Sequence, residues 1–191
     1  TWRTAAASSW NSDNGHGPNA VSLAPDGSWG TIVCDGGGLY DLQFDNAGTP
    51  YWRDLGLIGL NNTYGLHVIA DPTGVRAPYY GWYVGLTTDF AFYQTNTPPN
   101  DRGCNEGAGT RTSPCWATAI SGLFNAANTY YRSVYLLNKN DGWAVGDGKA
   151  MAHWDGSQWT VIPAGAMPDI ATGPTIYSVR MLSNRSGWAV G

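Results

Sequence analysis

Hydrophobic and polar positions in this 191-residue chain fall into short β-prone runs separated by clusters of Gly, Asp, Asn and Pro. The clearest stretch is 131–163, YRSVYLLNKNDGWAVGDGKAMAHWDGSQWTVIP. Residues 133–137 read as one strand, stopped by the turn cluster 138–141. Residues 143–145 read as a second, closed by Gly146, Asp147 and Gly148. A third covers 151–154, closed by Asp155 and Gly156, and a fourth covers 159–162, stopped by Pro163. Asp-Gly turns favour hairpins between consecutive strands, so the unit predicts a four-stranded meander. One such sheet buries too little apolar surface to stand alone, and copies of it are expected to pack side by side.

The frame recurs along the chain. Strands at 21–23, 28–33, 39–44 and 51–55 make one copy over 20–55, with turns at 25–27, 35–38 and 45–49. Strands at 66–70, 82–85, 90–93 and 116–120 make another over 64–120, and its last connection swells into the inserted loop 95–114. Residues 131–163 are the third copy, and 176–191, IYSVRMLSNRSGWAVG, start a further one. Residues 1–19 read as the end of an earlier copy, because Trp2-Arg3-Thr4 resembles Trp52-Arg53-Asp54. The expectation is a segment of a longer repeat array.

Tryptophan spacing carries the same period. Trp2 precedes Trp29 by 27 residues, Trp52 precedes Trp82 by 30, Trp116 precedes Trp143 by 27 and Trp159 precedes Trp188 by 29. Two interleaved series with one near-constant gap mark an internal repeat, which decides architecture ahead of local propensity.

Composition agrees with an all-β chain and narrows its partners. Gly, Tyr and Trp number 26, 11 and 10, whereas Glu106 is the only glutamate and Lys139 and Lys149 the only lysines. A net charge of -4 with no basic run argues against nucleic acid or an anionic membrane surface as partner. No apolar stretch reaches the roughly 18–20 residues a membrane-spanning helix needs. Cys104 and Cys115 bracket a loop of small polar residues and suit a disulfide, while Cys34 falls in or beside a buried strand. Asn61-Asn62-Thr63 and Asn184-Arg185-Ser186 fit the glycosylation pattern, which matters only in a source that glycosylates.

The stretch GWAVGDGKAMAHWDGSQW resembles the repeats of secreted bacterial β-propellers, including the photosystem II assembly propellers and the sialidase-like Asp-box proteins. The likeness is strong over 131–163 and 176–191 and weaker over 21–55 and 64–120. Asp155-Gly156-Ser157-Gln158-Trp159 resembles an Asp-box turn one residue short of the full pattern. The resemblance implies a propeller of four-stranded antiparallel blades in an extracellular, cell-surface or periplasmic location. It further implies structural roles for Asp155, as hairpin cap, and Trp159, as a wedge between blades. It implies no single activity, since propellers host enzymes, lectins and scaffolds.

Candidate chemistry is thin. Arg3 and Arg53 flank outer-strand tryptophans, Arg102 and Arg111 lie in the inserted loop, and Arg76 lies in a turn. Arg132 and Arg180 alone approach inner strands, at non-equivalent positions, which disfavours a sialidase-type arginine cluster. Asp26, Asp35, Asp141, Asp147 and Asp155 precede Gly and read as turn residues; Asp41 and Asp89 stand out as exceptions expected to face solvent from third strands. His16, His67 and His153 show no metal-ligand spacing, and His67 and His153 read as satisfied sheet-face histidines. Neither a cofactor nor a metal is expected.

Aromatic residues such as Tyr79 and Tyr80, with Arg102, Glu106 and Arg111 of the inserted loop, are the candidate contact residues. Trp2, Trp29, Trp52, Trp82, Trp116, Trp143, Trp159 and Trp188 are the expected repeat framework. The expected function is a non-catalytic scaffold or protein-interaction module in a surface, secreted or filamentous assembly. Its partners would be other proteins of that assembly or further copies of itself. A carbohydrate-binding or glycoside-hydrolase-like propeller is the alternative.

Overall fold

The computed structural model describes residues 6–7, 17–24, 27–57, 63–70, 79–85, 91–94, 115–118, 129–163 and 174–191, and over these the chain is all-β apart from one 3-10 turn at Asp147–Lys149. Strands β1 (Ala6–Ala7), β2 (Pro18–Leu23), β3 (Gly30–Cys34), β4 (Gly38–Phe44) and β5 (Pro50–Leu57) make the first sheet, in the order β1-β5-β4-β3-β2. The second joins β6 (Thr63–Ala70), β7 (Tyr79–Gly85), β8 (Ala91–Gln94) and β9 (Cys115–Thr118) in sequence order. The third joins β10 (Tyr131–Asn138), β11 (Asp141–Gly146), β12 (Met151–Trp154) and β13 (Trp159–Val161) likewise. A fourth sheet consists, among the described residues, of β14 (Ser178–Ser183) and β15 (Ser186–Val190).

Every strand the turn chemistry predicts has its counterpart. Gly36 and Gly37 supply the positive φ of the β3–β4 hairpin, at 66° and 78°. One pairing differs from expectation: Ala6 and Ala7 run parallel to β5, opposite Tyr51 and Trp52, and so extend the first sheet at its outer edge. Trp2, Arg3 and Thr4 lie outside the described residues.

Side chains alternate between the faces of each sheet, and both faces at the interior junctions are apolar because each sheet packs on its neighbours in chain order. Val33 and Leu39 of the first sheet bury against Leu66, Val68 and Tyr83 of the second. Tyr80, Trp82 and Val84 of the second meet Val134, Leu136, Ala144, Ala152, Trp154 and Trp159 of the third. Val145 of the third buries with Ile176 and Val179 of the fourth, and Tyr135, Trp143 and Met151 pack around them. Each sheet thus has a leading face, toward the sheet before it, and a trailing face, toward the sheet after. Full burial of a Val or Leu side chain stabilises by roughly 1.5–3 kcal/mol, against about 1 kcal/mol or less for an exposed ion pair. The apolar junctions therefore carry most of the stability.

Register shows how deep the repeat runs. Gly30, Gly81, Gly142 and Gly187 pair with Leu23, Val68, Leu136 and Met181, one equivalent pair per sheet. A Cβ on Gly81 would stand 2.6 Å from Val68 Cγ2, so the glycine makes room for the β6 side chain beside it. The residue after it, Trp82, Trp143 or Trp188, points to the trailing face. In the first sheet that place belongs to Thr31, and Trp29 stands one residue before the glycine instead, out of step with the other three. The fourth-strand tryptophans keep register throughout: Trp52 lies opposite Leu42, Trp116 opposite Tyr93 and Trp159 opposite Trp154.

Candidate functional site

A register shift recurs near the start of each of β2, β6 and β10, between Pro18 and Ala20, Thr63 and Gly65, and Tyr131 and Ser133. The extra residue of a bulge escapes the alternation and re-aims its side chain, a device often found beside binding sites. The bulge residues are Asn19, Tyr64 and Arg132, and Tyr177 precedes β14 at the corresponding point. They form the best-defined polar row among the described residues.

Asn19, Tyr64 and Arg132 are each engaged. Asn19 Nδ2 donates to Asp35 Oδ1 at 2.6 Å and to the Thr63 carbonyl at 2.7 Å, which ties the first sheet to the second. Arg132 donates from Nε and Nη2 to the two carboxylate oxygens of Asp147, both at 2.8 Å. Its guanidinium also lies 4.2 Å from the centre of the Tyr64 ring and 5.4 Å from that of Tyr130. Hydrogen bonding to Arg132 holds the Asp147 carboxyl below its ordinary range, and the same bond raises the Arg132 pKa. Asn19–Asp35 and Arg132–Asp147 are one device in two chemistries, separated by 16 and 15 residues in sequence. Sequence reading missed it; the signal was a polar residue near the start of β2 and of β10, with Asp35 directly after β3 and Asp147 directly after β11.

The remaining charged and titratable candidates also spend their groups on the fold. Asp41, expected at the surface, is buried with 3% exposure. It accepts from Arg53 Nε at 3.0 Å and Nη2 at 2.6 Å, and from Gln43 Nε2 at 2.8 Å. The expectation failed because Asp41 lies on a trailing face, in line with Thr31 and Arg53, so burial required a partner. His153 is bonded through Nε2 to Asp141 at 3.0 Å, with its ring beside Trp143. His67 accepts the Leu136 N–H through Nδ1 at 2.9 Å and stacks on Tyr135, 4.4 Å between ring centres. Burial, with the charge of Arg180 adding to it, brings the His67 pKa down to about 4. Both are the sheet-face histidines the alternation predicted.

Asp155 caps its hairpin as the Asp-box likeness implied. Its Oδ1 accepts from the Ser157 and Gln158 N–H groups at 2.8 Å each and from Ser157 Oγ at 2.7 Å. Asp45 does the same for Ala47 and Thr49 in the corresponding turn of the first sheet. These bonds hold both carboxyls below their usual range. Trp159 lies between the second and third sheets, its ring edge-on to Trp82 at 5.3 Å.

The contact candidates fare differently. Tyr80, expected at the surface, is 8% exposed, and its hydroxyl accepts from Trp82 Nε1 at 3.0 Å. Tyr79 begins β7 opposite Ala70. Arg102, Glu106, Arg111, Asp89, Cys104 and His16 lie outside the described residues, and so does the Cys104–Cys115 pairing, although Cys115 begins β9. Cys34 is buried on β3, and burial first, with Asp35 and Asp54 nearby, pushes its thiol up to about 11. No group of three metal-ligating side chains occurs among the described residues, and no helix there is long and apolar enough to cross a membrane. No protein-family model matches the chain, and neither does any of the curated proteins compared with it.

Proposed function

We propose that this chain is a non-catalytic scaffold of the β-propeller kind, working outside the cytoplasm as an interaction module in a surface or secreted assembly. The observation that carries this reading is the use made of its reactive side chains. Arg132 is held by both oxygens of Asp147, Asp41 by Arg53, His153 by Asp141, and His67 joins two sheets. A catalytic arginine or acid needs donor or acceptor capacity turned toward a ligand, whereas these groups turn theirs inward. The inner strands β2, β6, β10 and β14 lie side by side in chain order, as they do in blades around an axis. The extracytoplasmic location comes from the resemblance of the repeat to secreted propellers.

A carbohydrate-binding reading draws on one feature, the pair Tyr64 and Tyr130 beside Arg132. Screening the purified chain on a glycan array and against sialosides and other glycoside substrates separates the two readings. The scaffold reading expects no turnover and no saturable glycan binding. Hydrolysis or glycan binding that Arg132→Leu abolishes would overturn it.

A further inference from the structure

Two segments of the chain carry the acceptor pattern for N-linked sugar, and the structure separates them. The pattern needs an accessible asparagine and, two residues on, a hydroxyl that the transferase can reach. In Asn61-Asn62-Thr63 that hydroxyl is committed to the fold: Thr63 is 0% exposed, and its Oγ1 donates to the Cys34 carbonyl on the first sheet at 2.8 Å. Asn61 and Asn62 lie outside the described residues. In the other segment Asn184 and Arg185 make the turn between β14 and β15, and they and Ser186 are exposed.

This accessibility belongs to the turn itself. Asn138, Lys139 and Asn140 hold the corresponding place in the third sheet, because Asn138 pairs with Asp141 as Ser183 pairs with Ser186. The third sheet is packed on both faces and has β12 and β13 in place, yet these turn residues are exposed. Its tip is held through the backbone, where Trp154 Nε1 donates to the Lys139 carbonyl at 2.8 Å. The bond inside the β14–β15 turn comes from Ser183 rather than Asn184. Ser183 Oγ accepts from Arg185 N at 3.3 Å, as Asn138 Oδ1 accepts from Asn140 N at 2.8 Å.

We infer that Asn184 is the acceptor of an N-linked glycan and that Asn61 is not. The co-reactant is a sugar carried on a lipid pyrophosphate. The Asn184 side-chain nitrogen bonds to the anomeric carbon as the bond from that carbon to the pyrophosphate oxygen breaks. The lipid pyrophosphate leaves, the amide proton passes to the transferase, and nothing is oxidised or reduced. The inference rests on the extracytoplasmic location proposed above, where such donors are used. It also orients the scaffold. β14 runs from Ser178 to Ser183, so the glycan stands at the far end of that strand from Tyr177, roughly 20 Å away at about 3.3 Å per residue. A bulky, hydrated glycan keeps the hairpin tip out of close protein contact and leaves such contacts to the other surfaces.

Peptide mass spectrometry on the chain purified from its native source tests it. Treatment with peptide N-glycosidase in heavy-oxygen water converts a glycosylated asparagine to labelled aspartate and reports Asn61 and Asn184 separately. The label is expected at Asn184 with Asn61 unlabelled, and the intact mass is expected to fall by one glycan. Asn184→Gln and Ser186→Ala, expressed in the same source, should each lose the glycan. Ser186→Ala keeps the asparagine, so its loss ties the modification to the acceptor pattern. Both side chains are exposed, and circular dichroism of both variants is expected to match wild type. A bare Asn184 on protein recovered outside the cytoplasm, or label on Asn61 in its place, overturns the inference and leaves the scaffold reading standing. Recovery in the cytoplasmic fraction alone overturns the location reading and the inference with it, so the two failures are distinguishable.

Discussion

The Nδ1 atom of His67 accepts a hydrogen bond from the backbone N–H of Leu136, 2.9 Å away on the neighbouring sheet. Ser22 makes the equivalent bond one junction earlier, its Oγ accepting from Val68 N at 3.0 Å. The two acceptors hold equivalent positions on β2 and β6, and the two donors on β6 and β10. The sheets are therefore joined by a repeated polar contact as well as by apolar burial, and only one of these contacts can titrate.

That difference gives a pH dependence. Bonding at Nδ1 requires the neutral ring, and His67 titrates near 4 in the folded chain against an ordinary 6.5. The unfolded chain thus binds the extra proton first. The stabilisation is fully present above about pH 6.5 and is lost as pH falls to about 4, with a slope set by the single proton. Asp147, Asp45 and Asp155 lose theirs only below the ordinary carboxylate range. Denaturant titrations should show stability falling between pH 6.5 and 4, and His67→Asn should flatten that slope. A wild-type profile level across the interval would refute the assignment.

Gly65 faces the next sheet, where an added Cβ would stand 2.7 Å from Ser133 Cα and 2.9 Å from the Arg132 carbonyl oxygen. Both are backbone atoms and cannot step aside. Gly65→Ala should cost about 1–3 kcal/mol through forced separation of β6 and β10. Gly17→Ala meets nothing within 4 Å and should leave stability unchanged or slightly raised. Equilibrium unfolding of the two variants checks the contrast.

Cys34 should be inert in the native chain. With its thiol pushed up to about 11 from the model-compound 9.0, it carries roughly a hundredfold less thiolate near pH 8 than a free cysteine. Alkylation followed by peptide mass mapping should find Cys34 unmodified until denaturant is added. Rapid labelling of the folded protein would show that β3 opens.

Much of the architecture was legible because turn chemistry and the Gly-Trp repeat are local signals. Asp155 and Trp159 were legible as hairpin cap and wedge through the Asp-box resemblance, whereas the close approach at Gly142 shows only in the structure. The polar row was not legible, because Asn19 and Arg132 meet their aspartates only through bulges that shift the register by one residue. Trp29 shows the converse: its spacing fits the tryptophan series, yet Gly30 sets the register and places it one position early. Asp41 misled for a third reason. Alternation tells which residues share a face, but not whether that face meets solvent or another sheet.

The scaffold reading is tested most directly by thermal unfolding of Arg132→Leu beside wild type. If Arg132 serves the fold, losing the two bonds to Asp147 costs on the order of 1–2 kcal/mol, a fall in Tm of about 3–6 °C for a chain of this size. Active-site residues commonly carry strain, and their removal often leaves stability unchanged or improved. A Tm equal to or above wild type, together with loss of a measurable ligand or activity, would contradict the account.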